Sequence, residues 1–399
     1  MVIGFDGSRA FQEGRTGTEN YSYQLLKSLL GLDSKNKYIV YLSPTKNNTI
    51  VTNIVGWAKN VEVKVINWLR LWTQGGLAVQ TFRDKLDVLF VPAHTLPVIR
   101  RPGLRTVVTV HDLGSEYLPS MHQLKQRLYL GFMQRRQLKT ATRIIAVSKA
   151  TKDDLVKRVG IDPEKVNVVY EGYDKDLFNP VKGDILVNSL RQYGLKSEEY
   201  FLFVGTVQPR KNLERLIEAF SVFCHSGAKR SEAIESRSYR SAKAFLQDDK
   251  LKLVIAGSKG WLSDEIYELP KKLGIEEKVK FLGYVPDEDL PSLYSGAVAL
   301  TFPSLFEGFG LPILEAQACG CPVLTSNISS MPEVAGPASA GGAVYVDPYS
   351  IDDIVKGMER IENGELRMEN VKQGFENVKR FSWEKCAAQT LEVFENLKQ

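Results

Sequence analysis

Short apolar runs bounded by turn residues, separated by helix-patterned stretches, recur along the first half of the chain and then start again. The first set covers residues 38–41, 61–65, 88–91, 106–110 and 143–147, with 2–6 as an opening strand. Short runs of this kind suit buried strands of a parallel sheet. Helical patterns such as 21–30 and 123–139 lie between them, which predicts a doubly wound α/β unit. The rhythm resumes at 200–204 and continues through 251–255, 279–281, 297–300 and 322–324, so a second unit of the same kind is expected. A length of 399 residues agrees, because one core seldom organises that much chain.

The Gly- and Pro-punctuated stretch 168–180 suits the crossing between units, and the boundary is expected near Asn179, giving domains 1–178 and 179–380. Residues 225–250 are basic and serine-rich and interrupt the second unit, as a surface insertion would. Ser382 is a good N-cap for a closing helix over 383–397. The net charge of +5 is spread among acidic residues, so nucleic acid is not implied. Cys224, Cys319, Cys321 and Cys386 form neither a disulfide framework nor a metal-ligand pattern, and reduced thiols are expected. No stretch of eighteen apolar residues and no basic leader stands in the chain, which predicts a cytosolic protein.

The most informative segment is 302–316, which follows a strand and opens a helix. Pro312 fits a first helical turn, where its missing N–H has no intrahelical partner. Gly308 and Gly310 leave backbone amides open just before a helix N-terminus, where both donors and dipole favour an anion. Glu307 and Glu315 flank this cradle and can accept hydrogen bonds from different hydroxyls of one ligand.

On these residues the chain resembles the large retaining glycosyltransferase family 4, or group 1, through its Glu-x7-Glu motif. The resemblance extends through Gly205-Thr206-Val207-Gln208-Pro209-Arg210-Lys211-Asn212, Val254 to Gly257, Phe281 to Val285, Ala318 to Val323 and Glu333 to Asp347, and more weakly through Val110-His111-Asp112 and Ala146 to Lys149. It implies the GT-B fold: two Rossmann-like domains facing each other across a cleft, with 381–399 packing back on the first and a hinge near 178–180.

The family's roles carry over position by position. Arg210 and Lys211 match the pair that holds the donor diphosphate, Glu307 the residue on the donor sugar hydroxyls, and Glu315 the residue on the ribose. Gly308, Phe309, Gly310 and Leu311 match the loop on sugar and phosphates, while Gly283, Tyr284 and Val285 match the loop beside the base. Thr206 stands where many relatives carry an arginine, and Arg210 is expected to substitute for it. In the first domain Gly17, in the loop through Gly14 and Arg15, matches the phosphate-facing glycine, and His111 the histidine at the donor-sugar face. Asp112 and His94 are expected on the acceptor side.

The resemblance thus implies a retaining transferase that moves a hexose from a nucleotide-diphosphate sugar to a glycan or lipid-linked oligosaccharide, without cofactor. Asp174-Lys175-Asp176 has the Asp-x-Asp form that holds a divalent cation in other glycosyltransferases. Its place in the crossing stretch predicts a turn, and no metal is expected. GDP-mannose is the favoured donor, with UDP-glucose open. The basic and apolar stretch 125–143 (Arg127, Arg135, Arg136, Lys139 and Arg143 with Leu124, Leu128, Leu130, Phe132 and Leu138) could face anionic lipid, for peripheral contact with the inner face of the membrane. The rival readings are a nucleotide-sugar epimerase of the same fold and a non-catalytic nucleotide-sugar-binding regulator. The Gly-x-Gly-x-x-Gly of a dinucleotide oxidoreductase is not found after the opening strand.

Overall fold

A computed structural model describes residues 1–12, 17–44, 54–68, 70–93, 95–113, 135–234, 251–337, 341–362 and 364–397; of 226–234, 364 and 365 it describes only the backbone. The chain divides into two compact units, Met1–Gly172 with Phe381–Gln399, and Tyr173–Arg380.

The first unit is built on a seven-stranded parallel sheet: β1 (Val2–Asp6), β2 (Lys37–Leu42), β3 (Val61–Val65), β4 (Val88–Val91), β5 (Arg105–Val110), β6 (Arg143–Ala146) and β7 (Val166–Val168). Their order across the sheet is β3-β2-β1-β4-β5-β6-β7, with Ile3 of β1 beside both Tyr38 and Val88. Ile3, Phe5, Val88, Phe90, Val107, Val108 and Ile144 are fully buried, because helices and loops cover both faces. Each such side chain contributes on the order of 1.5–3 kcal/mol. The helix Trp383–Glu395 covers part of this sheet, and Ser382 caps it by accepting from the Lys385 N–H. Its Trp383 and Phe394 pack edge-on against Tyr21 and Phe90.

The second unit carries a six-stranded parallel sheet: β8 (Tyr200–Val204), β9 (Lys252–Ala256), β10 (Val279–Gly283), β11 (Ala299–Phe302), β12 (Val323–Ser326) and β13 (Val344–Val346). The order is β10-β9-β8-β11-β12-β13. Phe203 and Phe302 stack at 5.8 Å between its two central strands and fix their spacing. In both sheets the order reverses beside the unit's own first strand, between β1 and β4 and between β8 and β11. Doubly wound sheets take their ligands beyond the carboxyl ends of the strands at that point.

Several boundaries differ from the sequence reading. The crossing lies at Gly172 and Tyr173, a few residues before Asn179, because residues after it belong to the second unit's core. The Val181 N–H donates to Ser295 Oγ, and Phe178 packs edge-on against Tyr294. Strand β11 starts two residues later than read, since Ala297 still closes the preceding helix through the Tyr294 carbonyl. The short strands β7 and β13 were not read at all, and β7 falls where the crossing stretch was placed to begin. The helix Leu213–Ile234 runs on past His225, so the inserted segment does not start there. The rest of that segment, 235–250, lies outside the described residues.

Candidate active site

Strands β8 and β9 are each followed directly by a glycine and β10 ends on one, all in the positive-φ region: Gly205 (φ 144°), Gly257 (φ 154°) and Gly283 (φ 72°). A Cβ on Gly257 would overlap the Gly205 carbonyl, and the Gly257 N–H donates to the Gly283 carbonyl at 2.7 Å. These close approaches bring the loops after the three strands to one edge. Thr206 follows Gly205 and is exposed there; Tyr284 is exposed beyond Gly283, and Val285 turns inward.

After β8 the chain makes a single 3₁₀ turn, Pro209–Lys211, ended by Asn212 in the left-handed conformation (φ 61°). Asn212 is buried, and its side-chain amide donates to the carbonyls of Pro303 (3.0 Å) and Pro348 (2.7 Å). The Leu305 N–H donates to the Arg210 carbonyl at 2.9 Å. The loops after β8 and β11 are therefore laced together across the switch point.

This lacing places Arg210 and Lys211 against Glu307. Arg210 Nη1 lies 2.8 Å from Glu307 Oε2, and Lys211 Nζ lies 2.6 Å from Oε1. Glu307 and Lys211 are buried, at 6% and 7% exposure, a depth at which an unpaired charge would be costly. Burial alone would raise the pKa of Glu307, but the two cations outweigh it and hold the carboxyl below its ordinary range. Lys211 also lies over the Phe302 ring, 4.9 Å from its centroid.

The segment 307–310 is pinned from below. Ser329 Oγ and Ser330 Oγ both donate to the Glu307 carbonyl, and Ser330 Oγ also lies 2.7 Å from the Phe309 carbonyl. Gly308, Phe309 and Gly310 are buried, and Gly310 takes φ 111° to turn the chain into the helix Leu311–Ala318, where Pro312 sits in the first turn. Leu311 is partly buried at its start. One turn on, Glu315 Oε2 accepts from the buried Tyr294 hydroxyl at 2.8 Å. Burial pushes the Glu315 pKa up to about 7, against the lowering effect of that hydrogen bond. The two glutamates of the motif thus titrate in opposite directions.

In the first unit His111 is the first residue beyond β5 and is buried. Its Nδ1 lies 3.1 Å from Glu171 Oε1, and its Nε2 lies 3.0 Å from the Pro92 carbonyl. Asp112, beside it, is partly buried. Gly17 opens the helix Gly17–Leu32 and is exposed; among the described residues beyond its chain neighbours and own helix, none lies within 4 Å of where a Cβ would stand. His94, Gly14 and Arg15 lie outside the described residues.

Asp174 caps its own turn, its Oδ1 accepting from the N–H groups of Asp176 (3.1 Å) and Leu177 (3.2 Å). Among the described residues no group of three or more His, Cys, Asp or Glu is placed to hold a metal. All four cysteines are free thiols. Of the stretch 125–143, residues 125–134 lie outside the described residues; Leu138 is buried, while Arg135, Arg136 and Lys139 are exposed. Among the described residues no helix is long and apolar enough to cross a membrane.

The structure brings Arg210, Lys211 and Glu307 into contact and sets Gly283, Tyr284 and Val285 on the same strand edge of the second unit. Sequence reasoning missed Asn212, Ser329, Ser330 and Tyr294, which hold that site, and Glu171, which holds His111. Only Asn212 had a local signal, as the last residue of the Pro-Arg-Lys-Asn run.

The model described as glycosyl transferases group 1 matches residues 188–377, and that described as Glycosyltransferase Family 4 matches residues 16–177. The O-antigen chain mannosyltransferase B of Escherichia coli is 30% identical over 294 residues, which cover 73% of this chain and 71% of the relative. The O-antigen chain mannosyltransferase RfbU of Salmonella typhimurium is 28% identical over 277 residues, covering 69% and 65%. The crystal structure of Anabaena HepE in complex with UDP and glucose superposes with a TM-score of 0.71 at 18% identity, covering 99% of this chain and 100% of that one.

Proposed function

The chain belongs to the group 1 glycosyl transferases and has their GT-B fold, and from that premise we propose that it moves mannose from a nucleotide-diphosphate donor onto a growing polysaccharide or lipid-linked glycan. The observation that carries the proposal is the contact of Arg210 and Lys211 with Glu307 at the switch point of the second sheet. Two cations converge with one carboxylate and concentrate positive charge at the edge where such sheets take ligands. That charge suits a diphosphate, and it needs no metal to supply it. Tyr284 and Val285 beyond β10 suit the base, and Glu315 the ribose hydroxyls. The mannosyl preference draws on the two O-antigen chain mannosyltransferases, and HepE, seen with UDP, keeps the choice of base open.

In the proposed chemistry the bond between the sugar C1 and the diphosphate oxygen breaks as the acceptor hydroxyl oxygen bonds to C1 on the same face. The hydroxyl proton passes to the departing diphosphate, so configuration is retained and no carboxylate base is needed. Lys211 and Arg210 stabilise the charge that grows on the leaving group, which is where a preorganised cation lowers the barrier most. Glu307, released in part by the incoming phosphates, would accept from the sugar hydroxyls.

The test is transfer of mannose from GDP-mannose to a lipid-linked glycan acceptor, with and without chelator, in wild type and in Lys211→Ala. Removing one such cation is expected to cost about 10²–10³-fold in kcat. Chelation is expected to change nothing. Near-wild-type turnover in Lys211→Ala would remove the site assignment, and strict dependence on added magnesium would remove the metal-free mechanism.

A further inference from the structure

The strand order puts His111 next to the switch point of the first sheet, at the carboxyl end of β5 beside β4. Both of its ring nitrogens meet oxygens of the protein. Nε2 faces the Pro92 carbonyl, which can only accept, so Nε2 carries a hydrogen. A neutral ring would then turn the lone pair of Nδ1 toward the carboxylate of Glu171, and the two would repel. A second N–H on Nδ1 satisfies both groups. Glu171 is only 4% exposed, so the contact with the ring lies away from solvent.

We infer that Glu171 is a positioning residue of the transfer reaction: its buried carboxylate fixes the His111 ring and keeps both nitrogens protonated, so that an immobile imidazolium stands at the end of β5. The inference rests on the proposed transfer reaction for what the ring acts on, and on the geometry alone for the pair. A cation whose place and protonation are set before the donor arrives can stabilise developing negative charge without reorganising.

Among the described residues, the groups that face the ring agree with this assignment. Asp112, adjacent in sequence, adds a second negative charge that favours the imidazolium. Tyr21, from the helix Gly17–Leu32, stands edge-on to the ring at 4.6 Å, and its hydroxyl lies 3.2 Å from Thr109 Oγ1. Burial pushes up the pKa of Tyr21 and that of Cys386, which approaches Glu171 from the C-terminal helix, so both stay neutral. Burial would by itself lower the pKa of His111, but the contact with Glu171 outweighs it and raises it.

The backbone on either side is fixed as well. Thr151 Oγ1 donates to the His111 carbonyl at 3.2 Å, and the Ser148 hydroxyl donates in turn to Thr151 Oγ1 at 3.0 Å. Gly172, directly after Glu171, packs so closely on the start of the C-terminal helix that a Cβ would overlap the Trp383 backbone nitrogen. The C-terminal helix thereby sets where the Glu171 carboxylate can stand.

The experiment follows the ring nitrogen resonances of the full chain, labelled with ¹⁵N-histidine, across about pH 5 to 9. The His111 signal is identified by its loss in His111→Asn. In wild type it is expected to stay doubly protonated above the pH at which an ordinary histidine deprotonates. In Glu171→Gln the titration is expected to fall by about one pH unit or more, and Glu171→Asp to restore part of it. The transfer assay is run alongside. Glu171→Gln is expected to lower kcat by about tenfold with donor KM changed less than about threefold, and to move the alkaline limb of the pH profile down with the ring titration.

A ring titration unchanged in Glu171→Gln, or a neutral His111 in wild type at about pH 6, would overturn the inference. So would a shifted titration with kcat unchanged, which would leave Glu171 a purely structural partner. If wild type transfers no sugar, it is the glycosyltransferase reading that fails, and the ring titration still decides whether Glu171 holds the proton.

Discussion

Over six strands the two sheets share one order, and they differ in what stands at the carboxyl edge. In the second unit the loops after β8 and β11 are laced by Asn212 and by the Leu305 N–H, and they press two cations onto Glu307. In the first unit the matching edge carries a histidine held by Glu171 and Pro92 under an aromatic ring from the neighbouring helix. Strand order therefore sets where chemistry can happen, and the loops set which charge meets the ligand. The second unit offers a dense, prepaired positive site suited to phosphates. The first offers a buried histidine whose pKa is raised against burial chiefly by contact with one carboxylate.

The largest test of this contrast concerns the glycines that shape each edge. Gly257→Ala is expected to prevent folding of the second unit or to cost more than about 4 kcal/mol, because its Cβ has no space beside Gly205 and φ is 154°. Urea unfolding followed by circular dichroism checks it, and a stable, native-like variant would show that the strand ends are not pinned as described. Gly172→Ala meets backbone too, but only at the docking of the C-terminal helix on the first unit. A loss of about 2–3 kcal/mol is expected, read through the fluorescence of Trp383 at that contact. Equal losses in the two variants would erase the distinction between a pinned edge and a docked helix.

The remaining tests separate the two edges by pH. The Glu315 pKa is raised from 4.5 to about 7, so its contribution to stability is complete below its ordinary value and is lost as pH rises toward about 7. His111 is raised too, so its contribution is complete below the ordinary histidine value of 6.5 and fades only above it, as pH rises through its folded pKa. Glu307 is lowered and acts in reverse: its contribution holds above its ordinary value and is lost in acid. Thermal melts of Glu315→Gln and His111→Asn are expected to flatten the stability profile in the lower and the upper window respectively, the first by on the order of 3 kcal/mol. If both variants flatten the same window, one of the two environments is wrongly described.

Much of this was legible in the sequence. Apolar runs bounded by turn residues located the main strands, since strands covered on both faces read as near-continuous apolar runs; the edge strand β3, Val-Glu-Val-Lys-Val, is half-buried and alternates. The segment 302–316 announced its loop and helix because glycine and proline are needed at fixed places in such a turn. The strands β7 and β13 are only three residues long, too short for periodicity to register. Contacts across the sheet were harder. Arg210 and Glu307 are 97 positions apart and were linked through family resemblance, whereas Glu171 and His111, 60 apart, had no motif to join them. Tyr294 and Glu315 likewise meet only because their helices pack, which no spacing in the chain records.

The central claim, that the edge of the second sheet is a metal-free nucleotide-diphosphate site, is tested most directly by calorimetric titration of the purified chain with GDP, UDP, ADP and GDP-mannose in the presence of chelator. One diphosphate is expected to bind selectively, and Lys211→Ala to weaken it by about tenfold or more, the worth of a charge-assisted contact. Binding of none of them, or equal binding by Lys211→Ala, would contradict the account.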